Sequence, residues 1–308
     1  MKQPRRAIKL DIPTINDGPA DFDKLFKLWN VAKGYSLDIT FDFSTCNFLR
    51  PNAVAFLGGL ARLVESRDGR VTFDWNTAND KILAVLRQNG FAHIFEYTGA
   101  LGGPGSSIPY REDQTQSIHA SDVKDDIIDY LTYEWLGRGW VHISPKLENA
   151  IVGRVWEIYA NAFLHAKSKI GVFSCGQFFW RMGLLKLAVV DFGVGIPARV
   201  REFFKDYPFA GKLAAAACLR WAFQPGTSTI REGAGRGIGL DILKEFAYVT
   251  GGKLEIYSED GYALIRRRTQ EEYAKRSSFF EGTVVNITLR CDEKYYRLVD
   301  EGPSGPWF

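Results

Sequence analysis

The sequence predicts an α/β protein in two parts, a small α/β unit followed by an α+β sandwich. Three observations carry this. Between residues 35 and 95 strand-like and helix-like patterns alternate, strand, helix, strand, helix. The run "TGALGGPGSSIP" (98–109), rich in Gly, Pro and Ser, punctuates the chain. Beyond it helical patterns come first and strand patterns last, which suggests a mixed, mostly antiparallel sheet with helices on one face.

The elements follow in order. "YSLDITFDFS" (35–44) alternates apolar and polar residues like a half-buried strand. "PNAVAFLGGLARLVESRDG" (51–69) reads as a helix opened by Pro51 and closed near Gly69. "RVTFDW" (70–75) is a second strand, and "NDKILAVLRQNGFAHIF" (79–95) a second helix with Gly90 as its stop. The second part opens with a helix over 121–137 and a long apolar helix from Pro145 to Ala166. A hairpin-like pair of strands, 169–181 and 184–193, comes next, then a partly helical stretch and a glycine-rich loop. A helix over 239–250 and strands at 252–258, 261–268 and 282–290 complete it. The expected divisions are 1–110, 111–292 and a tail, 293–308, whose last residues "DEGPSGPWF" are expected to be loose.

Composition excludes more than it selects. The chain has 308 residues, 46% hydrophobic and 24% charged, an ordinary globular balance. A formal net charge of +3 supports neither a nucleic-acid nor a membrane function. The start, "MKQPRRAIKLDIP", lacks the apolar run of a signal peptide, and no stretch approaches the ~20 apolar residues of a membrane span. Cys46, Cys175, Cys218 and Cys291 have neither metal-ligand nor redox-pair spacing, so free thiols in a reducing cytosol are expected.

Three segments carry chemistry. In "VWEIYANAFLHA" (155–166) nearly every residue is apolar, yet Glu157, Asn161 and His165 recur every four residues on one helix stripe. That stripe is either a solvated face or the wall of a metal or phosphate site, where Asn offers a carbonyl oxygen to Mg²⁺ and Glu a base. In "AVVDFGVGIP" (188–197) an apolar strand ends in Asp191, and Gly193 and Gly195 allow a tight turn. Such an acid can accept a hydrogen bond from a ligand amine beside a flat ring, or the segment is a plain strand and turn. In "EGAGRGIGL" (232–240) glycines at alternate positions expose N–H groups ahead of a helix start, a phosphate-attracting arrangement. It is not a P-loop, because no Gly-Lys-Ser/Thr ends it.

The order "EIYANAFLHA", "DFGVGIP", "GTSTIREGAGRGIGL", "EGTVVNITL" resembles the GHKL (Bergerat-fold, histidine-kinase-like) ATPases over about residues 120–292. The resemblance implies ATP held between helices and sheet. It makes Glu157 the general base or its orienter and Asn161 the Mg²⁺ ligand. Asp191 would bond the adenine amino group, with Gly193 and Gly195 beside the ring and Thr283 supporting the base through water. Residues 224–235 would be a lid over the nucleotide. Gly233, Gly235, Gly237, Ile238 and Gly239 would lie along the phosphates, and Arg231 and Arg236 would be charged contacts or merely solvated. Residues 1–97 resemble, more faintly, a STAS domain. Where a regulatory STAS domain carries its phospho-acceptor serine, this chain reads Arg50-Pro51-Asn52-Ala53.

The implied function is an ATP-binding, Mg-dependent switch that couples nucleotide state to a regulatory protein partner. The alternative is a serine/threonine protein kinase of the anti-sigma-factor type acting on a separate STAS protein. A sensor histidine kinase would need a phospho-acceptor His on a dimerisation helix, and neither His119 nor His142 sits in one. Arg266-Arg267-Arg268 reads as a solvated strand end rather than a nucleic-acid patch. Homodimers are common in the family; nothing in the sequence marks one.

Overall fold

The computed structural model describes residues 5–103, 105–114, 121–224, 241–266 and 271–302. The first part is a three-stranded parallel sheet in the order β1 (Arg6–Asp11), β2 (Leu37–Asp42), β3 (Arg70–Asp74). Helices α1 (Pro19–Ala32) and α2 (Pro51–Glu65) link these strands. Neither β1 nor α1 was among the elements expected from sequence. Gly90 is the stop expected of the helix read over 79–95: α3 (Asp80–Gln88) ends before it, Gly90 adopts a left-handed φ of 82°, and the rest of the segment is a separate short helix, α4 (Phe91–Ile94).

The second part is a five-stranded sheet in the order β4-β5-β6-β8-β7. Its strands are β4 (Ser107–Asp113), β5 (Val172–Phe179), β6 (Leu184–Asp191), β7 (Lys253–Ile265) and β8 (Glu271–Arg290). The expected mixed sheet is instead antiparallel at every pair. β4 crosses the expected boundary at 110, and its first residues belong to this sheet. β7 runs on where two strands were expected: an irregularity near Ser258–Gly261 bends it without turning it back. Helices α5 (Ser121–Asp129), α6 (Pro145–His165), α7 (Gly195–Phe203), α8 (Ala215–Ala222) and α9 (Asp241–Thr250) belong to this part. A π-helical turn, Tyr130–Leu136, continues α5. None of the described helices is long and apolar enough to cross a membrane.

Helices cover both faces of the five-stranded sheet, not one. On one face Leu187, Val189, Ile256 and Ile287 pack against residues such as Ile151, Val155 and Phe246 from α6 and α9. On the other, Phe173, Val190 and Phe280 share a single core with Phe22, Phe26 and Phe56 of α1 and α2. This explains why β6, "LLKLAVVD", shows no polar alternation: it is buried on both sides. α2 lies between the two sheets and is buried at every residue from Pro51 to Ala61. The parts are also joined by ion pairs: Arg62 donates to Glu112 at 2.9 Å, Arg276 to Asp23 at 2.8 Å, and Lys186 pairs with Asp17. Asn52, at the start of α2, is only 2% exposed, and its amide donates to the Asn16 carbonyl at 3.2 Å.

The chain end is not loose as far as residue 302. Tyr296 forms a β-bridge with Ile143, Lys146 pairs with Asp300 at 2.5 Å, and the Ser144 hydroxyl donates to the Glu301 carboxylate at 2.6 Å.

Candidate functional site

Helix α6 starts sharply. Ser144 is its N-cap, accepting the Leu147 N–H at 3.1 Å, and Pro145 takes the first helical position. One side of the helix, with Ile151, Val155, Tyr159 and Ala162, is buried in the core. Glu157 and Asn161 fall on the other side and are half-buried. Arg154 donates to Glu157 Oε1 at 2.7 Å. The second oxygen, Oε2, is buried and has no hydrogen-bond partner among the described residues. A carboxylate oxygen in that state is costly unless a water or a ligand group meets it.

The end of α6 is tied to the turn after β6. Val194 N–H donates to the Ala166 carbonyl at 2.7 Å. Any side chain at Gly193 would overlap that same carbonyl. Gly195 has φ of 78°, and a Cβ there would lie 2.9 Å from the Gly282 carbonyl and overlap Ser258 Oγ. Both glycines, read from sequence as room for a ring, have a packing reason: they let the turn close against α6 and the sheet.

The β6 end carries the acid. Across β6, β8 and β7 the rows on the face covered by α6 and α9 are apolar, Leu187–Ile287–Leu254 and then Val189–Val285–Ile256. The next row is Asp191–Thr283–Ser258, polar at all three positions. Asp191 is 5% exposed, and its Oδ1 accepts the Gly193 N–H at 2.9 Å. Burial pushes its pKa up to about 6, against the opposing pull of hydrogen bonds from Gly193 and Thr283. Ser258 is fully buried. Its hydroxyl donates to the Gly282 carbonyl at 2.7 Å, accepts the Ile196 N–H at 3.0 Å and lies 3.5 Å from Thr283 Oγ1.

The structure therefore brings Asp191, Gly193, Gly195 and Thr283 together, and it ties the end of the helix bearing Glu157 and Asn161 to their turn. Arg231, Gly233, Gly235, Arg236, Gly237, Ile238 and Gly239 lie outside the described residues. Ser258 was missed. Its signal was the place of a lone serine at the end of the apolar alternation in "KLEIYS", legible only once β7 is registered against β8.

The residues present suit a nucleotide with a divalent cation. The row offers an acceptor, Asp191, and the Thr283 hydroxyl at the end of an apolar face, with Ser258 committed to Gly282 and Ile196, and Glu157 leaves an oxygen for a water. Among the described residues no group of three or more His, Cys, Asp or Glu is placed to hold a metal ion. Mg²⁺ does not require one, since it usually takes one or two protein oxygens and fills the rest with phosphate and water. A separate pocket of about 330 Å³ lies by α8, lined by Ala214, Ala217, Arg220, Trp221, Gln224 and Tyr273, and none of the described site residues borders it. No family model matches the chain, and no curated protein matches it.

Proposed function

We propose that this chain is an ATP-binding regulatory protein, a Mg-dependent ATPase-type switch that couples its nucleotide state to a partner protein. The observation that carries the reading is the polar row Asp191–Thr283–Ser258, set at the end of an apolar face and joined through Val194 to the end of α6. In this reading Asp191 accepts the adenine amino group, Thr283 supports the base and Asn161 gives its side-chain oxygen to Mg²⁺. Glu157 orients or deprotonates a water through its unpartnered oxygen. Mg²⁺, when bound, neutralises phosphate charge. The four cysteines are unpaired, which fits a reducing, cytosolic setting.

The kinase reading uses the same site and differs in where the phosphoryl group goes. Asn52, at the STAS-like acceptor position, is a buried amide, so the acceptor would belong to a separate protein.

The test follows γ-labelled Mg-ATP on the purified chain and on Asp191→Asn and Asn161→Ala. Free phosphate released by the wild type and lost in both variants supports the switch. Label retained in ATP despite measured binding favours the kinase reading. No binding by the wild type overturns the nucleotide assignment.

A further inference from the structure

Helix α2 contains an adjacent glycine pair, Gly58-Gly59, well inside its span. Each glycine inside a helix costs about 1 kcal/mol relative to alanine, so the pair calls for a physical reason. The reason is close approach. A Cβ on Gly58 would overlap the Tyr110 ring, with Cε2 at 2.8 Å. A Cβ on Gly59 would overlap Phe192, with Cδ2 at 2.9 Å, and stand 2.7 Å from Phe173 Cδ2. The two glycines thus form a notch in which aromatic rings from the second part are seated.

Phe192 directly follows Asp191. Consecutive residues at a strand end face opposite ways, so Asp191 faces the side covered by α6 and α9 while Phe192 enters the α2 side. Its ring lies 5.3 Å from Phe56, 5.2 Å from Phe280 and 6.0 Å from Phe173, centroid to centroid. Phe280 precedes Thr283 on β8 and lies 5.1 Å from Phe26 and 5.5 Å from Trp29 of α1. Phe192, next to Asp191, and Phe280, three residues before Thr283, are therefore both packed against the N-terminal helices.

We infer that the N-terminal unit controls the nucleotide-binding turn through Phe192 seated at Gly59, which makes Phe192 and Gly59 positioning residues for Asp191 and its turn. A change of packing at Gly59 moves the ring, and the ring moves the backbone that carries the Gly193, Val194 and Ile196 amides. By linkage the same coupling runs in reverse, so a ligand at Asp191 biases α2. The affinity part of this inference rests on the nucleotide reading; the mechanical part does not.

The experiment compares full-length wild type, Gly59→Ala and Gly58→Ala. Both variants lie on α2 and force a methyl group against an aromatic ring, that of Tyr110 for Gly58 and those of Phe192 and Phe173 for Gly59. Two quantities are measured: Mg-ATP affinity by calorimetry, and native-state exchange of the Gly193, Val194 and Ile196 amides. Gly59→Ala is expected to weaken Mg-ATP binding and speed exchange by about tenfold or more, within the usual range of intersite coupling. Gly58→Ala, whose methyl group meets Tyr110 rather than Phe192, is expected to change each by several-fold less than Gly59→Ala. Equal effects of the two variants, or no effect of Gly59→Ala, overturn the inference. If the wild type binds no Mg-ATP the nucleotide reading falls, and the exchange comparison decides alone. If Gly59→Ala does not fold, Phe192→Leu takes its place with the same expected and overturning results.

Discussion

Ser144 caps the first turn of α6, and Glu301, 157 residues further along the chain, accepts the Ser144 hydroxyl proton at 2.6 Å. The carboxylate also takes the Leu298 N–H, so it fixes both the chain end and the start of the helix bearing Glu157 and Asn161. A negative charge there also favours the positive end of the helix dipole.

This relationship makes the chain end part of the site's support. Ser144→Ala is expected to lower stability by about 1 kcal/mol, the usual worth of an N-cap. Removal of residues 292–308 should cost more, because it also removes the Tyr296 bridge and the Asp300 pair with Lys146. Denaturant unfolding measures both. A truncated chain as stable as the full one would show that the docked end carries no load.

Asp191 sets a pH dependence. Its folded pKa, about 6, lies above the ordinary 3.8, so the folded state binds the proton more tightly. Between these values the folded state holds more protons than the unfolded one, so this group's contribution to stability falls as pH rises from about 4 to about 6. The fall is on the order of 3 kcal/mol at full ionisation. Asp191→Asn lacks it. The variant should gain stability relative to wild type across that window and hold the gain at pH 7, while losing nucleotide binding. Unfolding curves of the two proteins that stay parallel across the window would refute this.

Ser258 holds the turn. With Ser258→Ala the half-buried Ile196 N–H loses its acceptor, at a cost of about 1 kcal/mol. Mg-ATP affinity is expected to drop with it, because the turn after Gly195 loses its anchor. Calorimetric binding and denaturant unfolding of the same variant check the two effects. Unchanged values in both would show that Ser258 is a passive core residue.

The two parts are expected not to fold separately. A chain beginning at residue 111 lacks the first residues of β4 and exposes Phe173, Val190 and Phe280. A chain ending at residue 110 exposes α2. Expressed alone, each should aggregate; expressed together, they should co-purify. Within the whole chain, Phe56→Ala is expected to cost about 3–5 kcal/mol, as for other fully buried aromatics. Independent, soluble halves would mean that the shared core is dispensable.

Much of this was legible in the residues. Pro145 and the apolar run after it mark α6, the four-residue recurrence puts Glu157 and Asn161 on one side, and the strand ending in Asp191 stands out between apolar residues and glycines. Local spacing encodes these features, because helix and strand periods act within a few residues. The strand β4, the run of β7 through Gly261 and the docking of residues 292–302 were not legible. Each depends on a distant partner: β5 for the first, β8 for the second, the start of α6 for the third.

The sequence by itself determined which segments are helix or strand in most of the chain, and which polar residues sit among apolar ones. Only the tertiary structure decided that Ser258 joins Asp191 and Thr283 in one row, that α2 is clamped between two sheets, and that Phe192 rests on Gly59. The reason is physical. Periodicity tells which face of an element is apolar, but not which other face will cover it, since burial is non-directional and is settled by the packing of the whole chain.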